Sequence, residues 1–325
     1  MTQSSLLIGD IGGTNARFAL ASPGEPGFRD AHTLLCADFA SPEAAIECYL
    51  AEVGAPAPVA VCFAAAGPVI NGDINITNNH WVLSSTELRD ALDHVPVRLL
   101  NDFEAIAHSI PILPAADCAP IGLPEGRARP EGDFSIGILG PGTGLGVAGL
   151  YKRGGQLVPI VGEGGHIGFA PKSQVQIDLL GILRERYDRV SLERLLSGSG
   201  LANIYWALCR LHDEKRVQLD AAEIFAAAQQ GEPRAAEAIR VFFEILGQVA
   251  GDLALLLGST DGVYIAGGIT KRYPELLESS GFRSAFENKG HHRPLLESIP
   301  TYLITHAEPG LLGAAHCASE LVQRS

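Results

Sequence analysis

At 325 residues the chain is long enough for a large buried core and for two domains rather than one. Hydrophobic residues make up 46% and charged residues 19%, an ordinary balance for a soluble enzyme. A formal net charge of -13 argues against a nucleic-acid binder, because duplex affinity rests on clustered Lys and Arg.

The first predicted element is a hairpin. Leu6 to Ile11 is an apolar strand, Gly12-Gly13-Thr14 a tight turn, and Asn15 to Leu20 a second strand. A glycine pair without Cβ atoms permits positive φ and brings backbone N–H groups close to an anion. Asp10 closes the first strand with a carboxylate placed to hold a metal-bound water, and Thr14 adds a hydroxyl. Next come a short strand at His32 to Cys36, a helix from Ser41 to Val53 opened by Ser41-Pro42, and a buried strand at Val59 to Ala65. A helix capped by Ser84 or Ser85 runs to about Leu92, with Glu87 available for a capping box. Val97 to Leu100 is a strand that delivers Asn101-Asp102 at its carboxyl end, where open α/β sheets bind ligands.

Residues Pro111 to Asp133, rich in proline and glycine, read as the crossing into a second lobe. That lobe opens with a variant of the first hairpin, Ile136 to Leu150, turning at Gly142-Thr143-Gly144. Two copies of one phosphate-gripping hairpin suggest two related lobes serving one nucleotide. A strand and a glycine-rich loop follow in Gln156 to Phe169. Helices are then expected at about Val175 to Tyr187, Ser191 to Leu196, Leu201 to Glu214, Ala221 to Gln229 and Pro233 to Leu257. Gly262 to Ile269 is a buried strand ending in the pair Gly267-Gly268, and Gly310 to Val322 is a final helix that packs back on the first lobe.

Several chemistries are absent at motif level. No Gly-x-x-x-x-Gly-Lys-Ser/Thr run marks a P-loop, so a phosphate must be met by glycine amides, helix N-termini and a divalent cation. A formal Gly-x-Gly-x-x-Gly at Gly144 to Gly149 falls on a strand rather than opening a helix, and is a chance match. The six cysteines (Cys36, Cys48, Cys62, Cys118, Cys209 and Cys317) contain no Cys-x-x-Cys pair and read as reduced core thiols. The N-terminus has no basic stretch ahead of a long apolar one, and the most apolar helical run is too short for a bilayer. A cytoplasmic location and no membrane partner are expected.

Six segments taken together, LIGDIGGTNARFAL, LLNDFEAIAHS, GPGTGLGVAGL, VGEGGHIGFAP, SLERLLSGSGLANIY and VYIAGGIT, resemble the bacterial glucokinase family of the hexokinase, actin and Hsp70 ATPase superfamily. They follow the family's order from residue 6 to residue 269. The resemblance implies an α/β, two-lobed actin-like ATPase (ribonuclease H-like) fold. A small domain of 1–110 plus about 305–325 and a large domain of 111–304 would face each other across a cleft.

The function it implies is transfer of phosphate from ATP to the 6-hydroxyl of D-glucose, the first step of glycolysis, with Mg²⁺ and as a homodimer. Carried over position by position, Asn101, Asp102, Glu163, His166 and Glu193 bind the sugar, with Asp102 as the general base. Gly9, Asp10, Ile11, Gly12, Gly13 and Thr14 form the first nucleotide loop, and Gly142, Thr143 and Gly144 the second. Gly267 and Gly268 let the adenosine lie against the backbone, and Asp10 holds Mg²⁺ through water. Asn78, Asn79 and Trp81 are further candidates for the sugar cleft.

Each of these residues has a plain structural reading beside the functional one. Asp102 could cap the helix beginning at Phe103, Glu193 could favour a helix N-terminus, and His166 could be a loop histidine bonded to backbone. Arg17 is expected to pair with an acid such as Glu104 and is given no catalytic role. The cysteine-rich zinc segment usual in the related repressor, open reading frame and kinase family does not follow His166. The competing readings are a kinase of another hexose or amino sugar, a non-catalytic sugar sensor, and an actin-like filament or chaperone ATPase.

Overall fold

In the computed structural model, which describes residues 4–122, 130–214 and 218–324, the two hairpins found in the sequence each nucleate a sheet. The chain divides into two units, Met1–Ala115 with Pro159–Val161 and His306–Ser325, and Ala116–Val158 with Gly162–Thr305. Part of the expected crossing, at 123–129, and the first three residues lie outside the described residues.

In the first unit the strands are β1 (Leu6–Ile11), β2 (Asn15–Ala21), β3 (Arg29–Leu35), β4 (Ala60–Ala65) and β7 (Val97–Asn101), with a separate ribbon of β5 (Asp73–Asn75) and β6 (Val82–Ser84). The main sheet has the order β3-β2-β1-β4-β7, antiparallel in the hairpin and parallel from β1 through β4 to β7. β4 is buried along its whole length, as a parallel strand covered on both faces must be. One face is covered by α1 (Pro42–Glu52), whose N-cap Ser41 accepts from the amide of Ala44 and whose Pro42 sits where no N–H is needed. The other face is covered by α3 (Asp102–Ser109) and the C-terminal helix Pro309–Arg324. α2 (Ser85–Ala91) is capped at Ser84, but no side-chain cap bond forms, so the expected capping box with Glu87 is not made.

The second unit repeats the plan. Its strands are β8 (Cys118–Pro120), β9 (Phe134–Pro141), β10 (Leu145–Arg153), β11 (Gln156–Gly162), β12 (Val263–Ile265) and β13 (Thr301–Ile304), in the order β11-β10-β9-β12-β13-β8. Hairpin β9-β10 is antiparallel and the step to β12 and β13 parallel, matching β1-β2 followed by β4 and β7. The short glycine-threonine echo in the sequence therefore marks a duplicated sheet.

The helices of this unit are α4 (Gln174–Leu183), α5 (Gly198–Leu211), α6 (Ala221–Gln229), α7 (Pro233–Leu257) and α8 (Gly268–Arg272), then three short ones, α9 (Pro274–Glu278), α10 (Phe282–Glu287) and α11 (Arg293–Ser298). α7 is the spine of the core, with Phe242, Phe243, Ile245 and Leu246 fully enclosed. It ends at Gly258, whose left-handed backbone (φ 60°) closes the last turn.

Two expectations change. Helix α5 begins three residues earlier than the sequence suggests, because Ser197 caps it by accepting from the amide of Gly200. Leu192–Arg194 is one 3₁₀ turn rather than a helix reaching Leu196. Of the six free thiols, Cys48 is exposed on the outer face of α1, and the other five are buried as expected.

Candidate active site

Strand register brings the acidic residues of the first unit together. Asp10 on β1, Ala64 on β4 and Leu100 on β7 stand in one row, and Ile11, Ala65 and Asn101 form the next. Three parallel strands thus end side by side, with Asp10 at the end of one and Asn101-Asp102 leaving another. The proximity shows in the pKa of Asp10, which is pushed up to about 6. Burial is the largest cause, the negative charge of Asp102 the next, and Glu308 adds to it, while Arg17 works in the opposite direction.

Arg17 faces Asp10 directly across the hairpin. Its expected partner was Glu104, but that carboxylate belongs to Arg98, at 3.1 Å. Arg17 instead pairs with Glu308 and donates from Nε to the hydroxyl of Thr33 at 3.1 Å. The correction matters because Glu308 immediately precedes the C-terminal helix. Gly310 in that helix lies so close that a Cβ there would sit 2.9 Å from Oδ2 of Asp10. Arg17, Glu308 and Gly310 were all missed as site residues. The Asp10–Arg17 pairing could have been found by counting outward from the turn; the other two contacts join residues nearly 300 apart in sequence.

The glycines of the first turn are needed for a reason other than the one expected. Neither Gly12 nor Gly13 has positive φ. Gly13 is required by close approach, since a Cβ would stand 3.0 Å from the carbonyl oxygen of Thr77. The amide of Gly12 closes the hairpin on the carbonyl of Asn15 at 2.9 Å, and its own carbonyl accepts from the Asn79 amide at 2.9 Å. Asn79 also accepts from the amide of Trp81 at 3.0 Å, so it braces the turn. Trp81 is a core side chain, 2% exposed, with its indole N–H on the carbonyl of Phe39. Gly9 lies inside β1, where a Cβ would meet the ring of Phe63 at 2.8 Å, while Thr14 at the tip of the turn is exposed.

The helix cap is Asn101 and not Asp102. The Asn101 carbonyl oxygen accepts from the amides of Phe103 at 2.9 Å and Glu104 at 3.3 Å, and its amide group donates to the carbonyl of Gly67 at 3.1 Å. One donor hydrogen of Asn101 remains for other work. Asp102 is the first residue of α3, and one of its oxygens accepts from the amide of Phe103 at 2.9 Å. It is half-buried and stands in the positive field of a helix N-terminus.

In the second unit two loops are laid side by side. The amide of Leu192 donates to the carbonyl of Ile167 at 3.0 Å, and that of Phe169 to Val190 at 3.1 Å. This gathers Glu163, His166 and Glu193: His166 Nδ1 is 3.7 Å from Glu163, and its Nε2 is 3.9 Å from Glu193. Gly164 and Gly165 permit the tight seat, since Cβ atoms there would meet Val147 at 2.9 Å and the carbonyl of Leu145 at 2.3 Å.

Glu193 also holds the second hairpin. It accepts from the amide of Leu145 at 3.0 Å, and its carboxylate occupies the space a Cβ of Gly144 would fill, 2.5 Å away. The amide of Gly198, at the start of α5, donates to the carbonyl of Gly142 at 2.9 Å, and Thr143 at the turn is exposed. Gly267 adopts positive φ (94°) and packs against Pro141, whose carbonyl oxygen would be 2.3 Å from a Cβ; Gly268 then opens α8. The Gly142–Gly144 turn is thus bonded to the start of α5, and Pro141 just before it packs on Gly267 at the start of α8; the N-terminus of a helix such as α5 favours an anion. The contribution of Ser197-Gly198 was missed because a Gly-Ser run reads as loop.

Among the described residues no group of three His, Cys, Asp or Glu side chains gathers to enclose a metal ion. The donors present fit a cation carried in by phosphates, because a small hard ion such as Mg²⁺ keeps several waters and needs one or two carboxylates. Asp10, crowded by the charges of Asp102 and Glu308, is the carboxylate such an ion would relieve.

A sequence model of the glucokinase family matches residues 7–321. The chain is 44% identical to a glucokinase of Chromohalobacter salexigens over 308 residues, covering 95% of each. It is 41% identical to one of Nitrobacter hamburgensis over 316 residues, covering 97% of each. Among solved structures, a glucokinase from an Antarctic psychrotroph superimposes with a TM-score of 0.89 at 34% identity, over 98% of this chain and 99% of that one. The duplicated sheet is that of the actin-like ATPase superfamily.

Proposed function

The chain belongs to the glucokinase family, and on that premise we propose which of its residues move the γ-phosphoryl group of ATP to the 6-hydroxyl of D-glucose. The observation that carries the reading is the closeness of Asp10 on β1 to Asp102, which follows the end of β7 with only β4 between the two strands, so that one charge weighs on the other.

Asp102 accepts the proton of the 6-hydroxyl as its oxygen bonds to the γ-phosphorus and the bond to the bridging oxygen of ADP breaks. Asp102 stands at the N-terminus of α3, where the helix dipole favours a negative charge. The free donor hydrogen of Asn101 and the carboxylates of Glu163 and Glu193 with His166 between them supply the complementary donors and acceptors that adjacent sugar hydroxyls require. The phosphates are met by the Gly12–Thr14 and Gly142–Gly144 turns and the starts of α5 and α8. Ile11 and Gly9 shape the strand behind them, and Gly267 with Gly268 gives the adenosine a flat backbone surface. Asp10 would hold Mg²⁺ through water, and the ion would supply neutralisation of charge on the phosphates.

Resemblance to the family supports a homodimer in the cytoplasm that feeds glycolysis. Among the described residues no helix is long and apolar enough to cross a membrane. A panel of sugars at fixed ATP, with ADP release coupled to NADH oxidation, tests the acceptor. Glucose is expected to give the highest kcat/KM; preference for mannose, fructose or an N-acetylated amino sugar overturns the substrate assignment. Glucose binding without ADP release marks a sensor instead.

The raised pKa of Asp10 gives a pH prediction. A carboxyl held at about 6 carries a proton below that pH, and the neutral acid cannot hold the water shell of a cation. Activity should therefore fall on the acid side with an apparent pKa near 6, and added Mg²⁺, which competes with the proton, should move that limb downward. The sign for stability is opposite. The native state binds the proton more tightly than the unfolded chain, so Asp10 favours folding below about pH 4 and that contribution is lost as pH rises through 6. A pH–rate profile unmoved by Mg²⁺ would remove Asp10 from this role.

A further inference from the structure

The turn between β9 and β10 is held at both of its ends by one short segment of chain. At the near end the amide of Gly198 donates to the carbonyl of Gly142 at 2.9 Å, and at the far end Glu193 accepts from the amide of Leu145 at 3.0 Å. Between these two ties the segment is fixed on itself and on α5. The hydroxyl of Ser197 donates to the carbonyl of Glu193 at 2.8 Å, and Asn203 donates to that of Arg194 at 3.0 Å. Just upstream it is pinned to the loop of Glu163 and His166, through the amide of Leu192 on Ile167 and the pairing of Gly168 with Ser191. A single braced piece of backbone therefore borders both the turn proposed to meet phosphate and the loop proposed to meet sugar.

One side chain on that piece faces both ways. The carboxylate of Glu193 is 32% exposed, so it is free to swing, and its two oxygens are divided. Oε2 holds the amide of Leu145 and fills the space beside Gly144, where a Cβ would stand 2.5 Å away. Oε1 lies 3.9 Å from Nε2 of His166, too far for a hydrogen bond, and so keeps acceptor capacity for a sugar hydroxyl. Because the two demands fall on different oxygens, they do not compete. A hydroxyl donating to Oε1 stops the side chain from swinging away, which leaves Oε2 fixed on the amide that ends the turn. The cost of ordering this side chain, met by one ligand, is then not met again by the other.

We propose, given the sugar contact assigned to Glu193 above, that this residue couples the two substrates, its carboxylate making glucose and nucleotide each bind more tightly when the other is present. Coupling of this kind is reciprocal, and it commonly amounts to about 5-fold to 150-fold in affinity. An occupied sugar site lays the phosphate turn in place before ATP arrives, and glucose is gripped less well while the turn is empty.

The test measures glucose binding to the full-length protein by calorimetry, without nucleotide and with saturating Mg²⁺ and a β,γ-imido analogue of ATP. The parent is expected to bind glucose at least about fivefold more tightly with the analogue present. Gly144→Ala puts a methyl group where Oε2 now lies; the obstacle is the far end of a flexible side chain, so the carboxylate should swing aside and the fold be kept. This variant, changed only in the phosphate turn, should bind glucose several-fold more weakly in the absence of any nucleotide, and its ratio of the two affinities should fall towards one. Glu193→Asp, a methylene too short to serve both Leu145 and the sugar, should lose the ratio as well while melting as a folded protein. A side chain that merely braced the turn would alter nucleotide affinity and leave glucose binding to the empty protein untouched. Equal glucose affinity with and without the analogue in the parent, or a parent-like ratio in both variants, overturns the coupling alone. A parent that binds the analogue but no glucose overturns the sugar assignment and the coupling with it.

Discussion

Replacing Asp102 by asparagine is expected to lower kcat for glucose phosphorylation by roughly a thousandfold, within the range a positioned general base contributes. The KM for glucose should change far less, since an amide still fills the position. The usual objection to such a variant is that a residue at a helix start also holds the helix. Here that function belongs to Asn101, which takes the amides of Phe103 and Glu104. Asp102→Asn should therefore unfold within a few degrees of the parent in a thermal melt. Loss of the melt together with the activity would mean that Asp102 is structural, and unchanged kcat with a normal melt would remove it from the proton transfer.

The second large effect is on stability and lies outside the glycine turns. Gly313 in the C-terminal helix packs on α3 so tightly that a Cβ would stand 1.7 Å from the carbonyl oxygen of Ala105. That neighbour is backbone in the middle of a helix and cannot swing aside. Gly313→Ala is expected to cost about 3 kcal/mol or more, at the upper end of overpacking penalties, despite alanine's better helix propensity. The comparison is Gly181→Ala in α4, where a Cβ meets nothing within 4 Å and the propensity gain of about 1 kcal/mol should appear unopposed. Urea denaturation of both variants measures the contrast. Equal midpoints would show that the two helices can separate to admit a methyl group.

What the sequence disclosed follows the range of the interactions involved. The two hairpins were legible because strand, turn and strand are contiguous and a glycine-threonine step recurs. The placement of Asn101-Asp102 at a strand end was legible for the same reason. Local competition blurred the rest by a residue or a few: Asn and Asp adjoin at the start of α3 and either can cap, and Ser197-Gly198-Ser199 resembles a loop although Ser197 caps a helix.

Tertiary contacts were not legible. Arg17 reaches Glu308, and Gly13 is required by a carbonyl some sixty residues away rather than by its own φ. Glu193 is the most instructive case, since neither plain reading of it was complete. It heads a 3₁₀ turn, approaches His166 and accepts from the amide of Leu145, so one carboxylate joins a loop expected to bind sugar to a turn expected to bind phosphate.

The in-register row of Asp10, Ala64 and Leu100 carries a metric consequence. Adjacent strands in a sheet stand about 4.8 Å apart, so the strand bearing the metal-side carboxylate and the strand that leads into the proton acceptor are held roughly 10 Å from one another by two ranks of hydrogen bonds. The sheet acts as a ruler graduated in strand spacings, and no loop sets that length. Insertions in the connecting loops leave the interval between these two strand ends fixed.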